Sequence, residues 1–224
     1  MIAVIGLGFV GLTTALGLAS KGYKVYCFDI DARKMLKIRK GIIPFYEPHL
    51  SEQLSKYKDK KVILCGSMRE TVSQSNVIFY CVGTPSALSG KADLRFLKSA
   101  VNESLGYLPD KKTYATLVIK SSVPPSATQE LIKPLLEKRG FKVGRDIGLV
   151  SNPEFLREGC AWSDFIKPDM IIIGQCSDKS GKIVEKIYKP FKAPILRVSL
   201  NTAEFIKYLS NAFLSNLISF SNEM

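Results

Sequence analysis

Short, continuous apolar runs recur along the chain and alternate with stretches whose apolar positions fall three and four residues apart. The runs Ile2–Ile5, Lys24–Phe28, Lys61–Cys65, Asn76–Val82, Tyr114–Lys120, Ile147–Val150, Met170–Ile173 and Pro194–Val198 read as buried strands. Between them, Leu12, Ala15, Leu16 and Ala19 mark one helix face, and Asp31 to Gly41, Met68 to Ser75, 93–106, 126–139 and Lys179–Tyr188 read as further helices. The segment IIPFYEPHL, residues 42–50, has two prolines and two aromatics. It is too irregular for a regular element and too apolar for a linker, so it reads as a packed loop. From Thr202 a helical pattern runs onward without Gly or Pro, with Phe205, Leu209, Phe213, Leu217 and Phe220 along one face. Strands alternating with helices predict an α/β, Rossmann-like doubly wound parallel sheet over residues 1–199. Residues 200–224 then begin a long connecting helix whose apolar face requires a partner.

The first strand opens into the densest local signal. Gly6, Gly8 and Gly11 have the G-x-G-x-x-G spacing directly between a strand and a helix. In that geometry Gly6 permits the tight turn, Gly8 lets a pyrophosphate approach the backbone, and Gly11 lets helix and strand pack closely. Phe9 and Val10 complete the turn, and the helix amino terminus supplies unpaired N–H groups as an anion site. Asp29 ends the second strand, where a carboxylate can accept both hydrogen bonds from an adenosine ribose and would repel a 2'-phosphate. The expected cofactor is therefore NAD rather than NADP. Lys34, on the next helix, can reach the adenosine end or stand as a solvated helix lysine.

Positional rules extend the crevice. Ligands of an open parallel sheet collect outside the carboxyl ends of its strands, which places Thr84 and Pro85 after the fourth strand beside the cofactor. Ser121 and Ser122 follow the fifth, where a hydroxyl can hold substrate or a water, or cap the next helix. Residues 151–169, SNPEFLREGCAWSDFIKPD, concentrate charge. Glu154 and Glu158 stand four apart and would share a face if the segment were helical, each pushing the other's carboxyl upward for acid–base work. Lys207 and Asn211 are likewise four apart on the last helix.

Composition narrows the class. A net charge of +12 is carried by lysines spread along the chain, which suits steering of an anionic nucleotide; no reading motif suggests nucleic acid. The five cysteines form no C-x-x-C pair and the single histidine, His49, offers no ligand cluster, so neither zinc nor a disulfide framework is expected. Cys160 reads as a small packed thiol and His49 as structural. The apolar start lacks a basic leader region, and no apolar run reaches the length of a membrane span, which leaves a cytoplasmic location as the expectation.

Taken together, GLGFVG with Asp29, YEPHL, Thr84-Pro85, KSSVP from Lys120, NPEFLREG from Asn152, KPDMIIIG from Lys167 and TAEFIKYLSNAF from Thr202 resemble the UDP-glucose/GDP-mannose branch of the sugar-nucleotide dehydrogenase family. Gly159 leans toward UDP-glucose. The resemblance implies NAD-dependent oxidation of the sugar C6 alcohol to the acid, in two hydride transfers through a thiohemiacetal and a thioester on a cysteine. It places Ser122, a threonine in most of the family, at the active-site water and beside the cofactor. Glu154 and Glu158 match active-site acids, Glu158 also facing the cofactor. Phe155, Leu156 and Arg157 lie along the sugar nucleotide, Lys207 stabilises the developing oxyanion, and Asn211 assists it. None of Cys27, Cys65, Cys81, Cys160 or Cys176 matches the family's nucleophile. The resemblance therefore implies an amino-terminal half whose sugar-nucleotide domain lies elsewhere, and a homodimer through the last helix. A GDP-mannose enzyme, a non-catalytic NAD sensor and a hydroxyacid dehydrogenase are the competing readings. The acids with Lys207 and Asn211 argue against the sensor, and NPEFLREG argues against the hydroxyacid enzyme.

Overall fold

A computed structural model describes residues 1–87, 89–108 and 113–224. Eight strands form one sheet in the order β3-β2-β1-β4-β5-β6-β7-β8. β1 (Ile2–Ile5) lies between β2 (Val25–Phe28) and β4 (Val77–Tyr80), all parallel, with Ile2 opposite both Val25 and Val77. β3 (Val62–Leu64) closes one edge. β5 (Ala115–Ile119) and β6 (Ile147–Ser151) extend the parallel run on the other side.

The pleat sorts each strand between two cores. Val4, Phe79 and Val118 face a layer built on α1 (Phe9–Ser20), α2 (Ala32–Arg39) and α3 (Leu50–Tyr57), with Leu12, Leu16, Ile38 and Leu54 buried in it. Ala3, Ile5, Ile78 and Leu117 face the opposite layer, on α4 (Met68–Ser73) and α5 (Arg95–Ser104), with Val72, Leu97 and Val101. Alternation of period two, buried on both sides, is why the strands read as continuous apolar runs.

Four features depart from the sequence expectation. The sheet is only mostly parallel: β7 (Ile171–Gln175) pairs antiparallel to β6, through Val150 with Gln175 and Ser151 with Gly174, and β8 (Ile195–Ser199) then runs parallel to β7. The connection between β6 and β7 contains one six-residue helix, α7 (Ala161–Ile166), which rises only about 9 Å and does not carry the chain back along β6. Helix α3 was hidden because its apolar face is short: Leu50 and Leu54 are buried and Tyr57 packs half-buried beside them. The helix expected at 126–139 starts as a π-helical turn, Thr128–Ile132, before passing into α6 (Lys133–Lys138). Finally, residues 152–157 are not helical, so Glu154 and Glu158 do not share a helix face.

After α8 (Asp178–Tyr188) and β8, Ser199 caps α9 (Leu200–Glu223) by accepting the Thr202 N–H at 3.1 Å. Leu200, Ala203, Glu204 and Lys207 anchor the start of α9 in the domain. Farther along, Phe205, Leu209, Phe213, Leu217 and Phe220 are exposed. No helix among the described residues is long and apolar enough to cross a membrane.

Candidate functional site

A cavity of about 490 Å³ opens at the carboxyl ends of β1, β2, β4 and β5. Its size falls in the range of small-molecule sites. The glycine turn forms one wall. Gly6 has φ +88°, and a Cβ there would stand 2.8 Å from the Cys81 carbonyl oxygen; a Cβ on Gly11 would stand 1.7 Å from the Gly6 carbonyl oxygen. The turn itself therefore requires both. Gly8 is different: a Cβ would meet nothing within 4 Å, so the open space above it is available to a ligand. Gly8 is also the N-cap of α1, no side chain caps that end, and the first turn carries no acid. An uncapped helix start beside an open glycine fits the pyrophosphate of a dinucleotide.

Asp29 is held against this turn. Its Oδ2 accepts the Leu7 N–H at 2.6 Å and its Oδ1 the Asp31 N–H at 2.9 Å. Lys34 Nζ lies 2.8 Å from Oδ2, so this lysine is ion-paired at the cavity rather than free in solvent. Phe9, Val10 and Thr84 line the cavity, and the Thr84 hydroxyl donates to the Ser122 carbonyl at 2.7 Å, tying the loop after β4 to the loop after β5. Pro85 stands outside the lining, exposed, its carbonyl accepting the Asp93 N–H.

Two charged side chains, Lys120 and Glu154, also line the cavity, and residues outside the lining hold them. Glu154 Oε1 pairs with Lys207 Nζ at 2.9 Å, and its Oε2 accepts the Leu156 N–H at 2.7 Å. Lys207 is buried and its ammonium lies 5.2 Å from the centre of the Phe155 ring. Lys120 is also buried, with Nζ 3.2 Å from Asn152 Oδ1 and 5.8 Å from the Phe165 and Tyr188 rings. Burial pushes the Lys120 ammonium down to about 8, partly opposed by Cys81 and Glu154. Asn152 in turn accepts the Tyr188 hydroxyl at 2.6 Å and donates to the Ile172 carbonyl at 2.8 Å. Burial raises the neighbouring Cys81 thiol to about 12, which keeps it protonated and unreactive.

Ser122 lines the cavity, while the hydroxyl of Ser121 points inward to the Val82 carbonyl at 2.7 Å. Of the other expected residues, Phe155 and Leu156 are half-buried beside Glu154. Glu158 and Asn211 are exposed, and no side-chain partner joins them to the cluster among the described residues. Arg157 is exposed and forked onto Asp164, at 3.1 and 2.7 Å. His49 is exposed in a left-handed conformation at the start of α3.

Three buried polar residues escaped the sequence reading. Lys120 looked like the end of a strand. Glu47, in the YEPHL loop, accepts the N–H groups of Gly159 and Ala161 at 2.9 and 2.8 Å. Glu204 accepts the Thr128 N–H at 3.0 Å, and burial pushes its carboxyl up from the usual range. No local pattern marks them, because each partner lies far away in the chain.

Comparison with known proteins gives the same picture. The profile described as the UDP-glucose/GDP-mannose dehydrogenase family, NAD binding domain, matches residues 1–192. UDP-glucose 6-dehydrogenase TuaD of Bacillus subtilis is 38% identical over 224 residues, covering 100% of this chain and 48% of that protein. Among solved structures, a ternary complex of GDP-mannose dehydrogenase from Pseudomonas aeruginosa superposes with a TM-score of 0.95 at 34% identity, covering 99% of this chain and 51% of the other. A UDP-glucose dehydrogenase from Pyrobaculum islandicum gives 0.92 at 36%, with 99% and 51% covered. The chain thus spans about half the length of these relatives. With the glycine turn, the fixed Asp29 and the profile match in agreement, the chain belongs to the UDP-glucose/GDP-mannose dehydrogenase family and carries its NAD-binding domain.

Proposed function

We propose that this chain is the NAD-binding half of a UDP-glucose 6-dehydrogenase, which oxidises C6 of the sugar nucleotide to give UDP-glucuronate. The observation that carries the reading is one cavity lined both by an uncapped glycine turn and by Glu154, whose carboxylate pairs with the buried Lys207. Gly6, Gly8, Phe9, Val10 and Gly11 would hold the pyrophosphate, and Asp29 with Lys34 the adenosine ribose, with Thr84, Pro85, Ser122 and Glu158 beside the rest of the dinucleotide. Bound NAD supplies a hydride acceptor. Lys207 keeps a positive charge fixed where an oxyanion develops, which lowers its energy in a site with little water. Glu154 orients that lysine and, with Ser122, can hold a water. Phe155, Leu156 and Arg157, together with Glu158 and Asn211, would face the sugar nucleotide. Residues 1–199 form the dinucleotide domain in this reading, and 200–224 begin the helix whose exposed apolar face meets a second subunit.

The test is titration with NADH and NADPH followed by cofactor fluorescence. NADH is expected to bind at least tenfold more tightly, because Asp29 opposes a 2'-phosphate, and Asp29→Asn should narrow the gap. Given NAD and UDP-glucose, the chain is expected to make little UDP-glucuronate, since none of its five cysteines matches the family's nucleophile. Equal affinity for NADH and NADPH would overturn the cofactor assignment; rapid formation of acid would overturn the assignment of the nucleophile.

A further inference from the structure

The loop 42–49 carries no assigned role, yet it touches both the glycine turn and the segment that follows Glu154. Its Phe45 meets Phe9 edge to face, with ring centroids 6.1 Å apart at 66°. Phe9 opens α1 and lines the cavity next to Gly8. Two residues on, Glu47 is 6% exposed, and both its carboxylate oxygens are used, one on the Gly159 N–H and one on the Ala161 N–H. Those amides follow directly on Glu154–Glu158, and Gly159 holds φ +82°, a conformation that only an outside hold or glycine makes comfortable. The loop leads into α3, and both α3 and α7 pack on α1.

We propose that loop 42–49 is a strap coupling the dinucleotide turn to the segment 152–161, with Glu47 as its positioning residue. The inference rests on the proposed dinucleotide site. A Ser or Asp at position 160 would cap the second or third amide of α7, not the Gly159 and Ala161 amides that Glu47 takes, and Cys160 offers no side-chain cap at all. The acceptor comes instead from a residue more than a hundred positions away, in the same loop as the ring that rests on the glycine turn. The two N–H donors land on separate oxygens, and a carboxamide would turn an NH2 donor toward one of the two N–H groups. A ligand that fixes Phe9 thereby restrains Phe45, Glu47 and the backbone beside Glu158 together.

The experiment follows amide exchange by NMR and NADH affinity by fluorescence in the full chain, for the wild type, Glu47→Gln and Phe45→Leu. In Glu47→Gln the Gly159 and Ala161 amides should exchange about tenfold faster, as expected when one charge-assisted bond is replaced by an amide contact, and NADH should bind about threefold more weakly. Phe45→Leu, which leaves the carboxylate intact, should speed the same two amides about threefold. Faster exchange in Glu47→Gln with unchanged NADH affinity would reduce Glu47 to a cap and overturn the strap. So would wild-type exchange at 159 and 161 in Phe45→Leu, which also decides the matter if Glu47→Gln does not fold. Failure of the wild type to bind NADH would instead overturn the dinucleotide reading, and the Phe45→Leu exchange arm would still decide the strap.

Discussion

Two regions of the site are made in opposite ways. The glycine turn lies within the first 29 residues and works by leaving atoms out: backbone N–H groups, a missing Cβ and one carboxylate held in place. The other region gathers Lys120, Asn152, Glu154 and Lys207 from the ends of β5 and β6 and from α9, and works by burying charge. Sterics specify the first, so it stands or falls with single atoms. The second persists because each charge has its partner, since an unpartnered one costs several kcal/mol. The largest expected effect lies in the turn. Gly11→Ala places a Cβ against the Gly6 carbonyl and should cost more than about 4 kcal/mol or abolish folding, read by urea denaturation. Gly8→Ala meets no atom and should leave stability within about 0.5 kcal/mol while NADH binding falls at least tenfold. Equal effects of the two substitutions on stability would erase the distinction between fold glycine and ligand glycine.

The charged region is next. Lys207→Met leaves the Glu154 carboxylate with only the Leu156 N–H, and should cost about 3 kcal/mol. Glu154→Gln added to it removes the stranded charge and should restore most of that stability. A double-mutant cycle without recovery would mean that Lys207 acts through packing on Phe155 rather than through its charge.

The same contrast explains what the sequence could reveal. The strands, α1 and the glycine turn were legible because their causes are local: apolar runs, helical spacing, three glycines and an acid at a strand's end. Glu154 and Lys207 could be named, but only by resemblance; their spacing from Glu158 and Asn211 suggested helix-face pairs, and the actual pairing is Glu154 with Lys207 across 53 positions of chain. Lys120 and Glu204 gave no local sign, since a lysine at a strand end and a glutamate in a helix are ordinary until the fold buries them. The antiparallel β7 was equally hidden, because an apolar run carries no direction.

Lys120 offers an effect of opposite sign. Its ammonium is protonated to about pH 8 in the folded chain and to 10.5 when unfolded, a difference of roughly 3 kcal/mol in favour of the neutral form. Below pH 8 both states hold the proton and the fold bears the full cost of the buried cation; between 8 and 10.5 the unfolded state alone binds it, so stability gained from this group rises with pH. Lys120→Met should therefore stabilise the chain by about 2 kcal/mol at pH 7, after loss of the Asn152 contact, and the advantage should shrink as pH approaches 10. Urea midpoints of the two proteins across that window measure it. A constant difference would mean that the charge of Lys120 is not what the fold is resisting.

The smallest effect belongs to Glu204, where α9 meets the helix that follows Ser122. One carboxylate oxygen accepts the Thr128 N–H at 3.0 Å, and hydrogen bonding from the Thr128 side chain and from the backbone at Ser126 and Ala127 partly offsets the cost of burying the carboxylate. Burial raises this carboxyl, so the fold favours its neutral form: the contribution to stability is full below the ordinary carboxylate range and is lost as pH rises through the raised value. In Glu204→Gln the amide keeps an oxygen for the Thr128 N–H, and no charge is buried. Near pH 7 the substitution should raise stability by up to about 1 kcal/mol, and the gain should shrink as pH falls into the ordinary carboxylate range. A loss of stability at pH 7 would show that the negative charge is itself wanted at the start of the π-helical turn, where it accepts the Thr128 N–H, and that desolvation is the weaker of the two effects there.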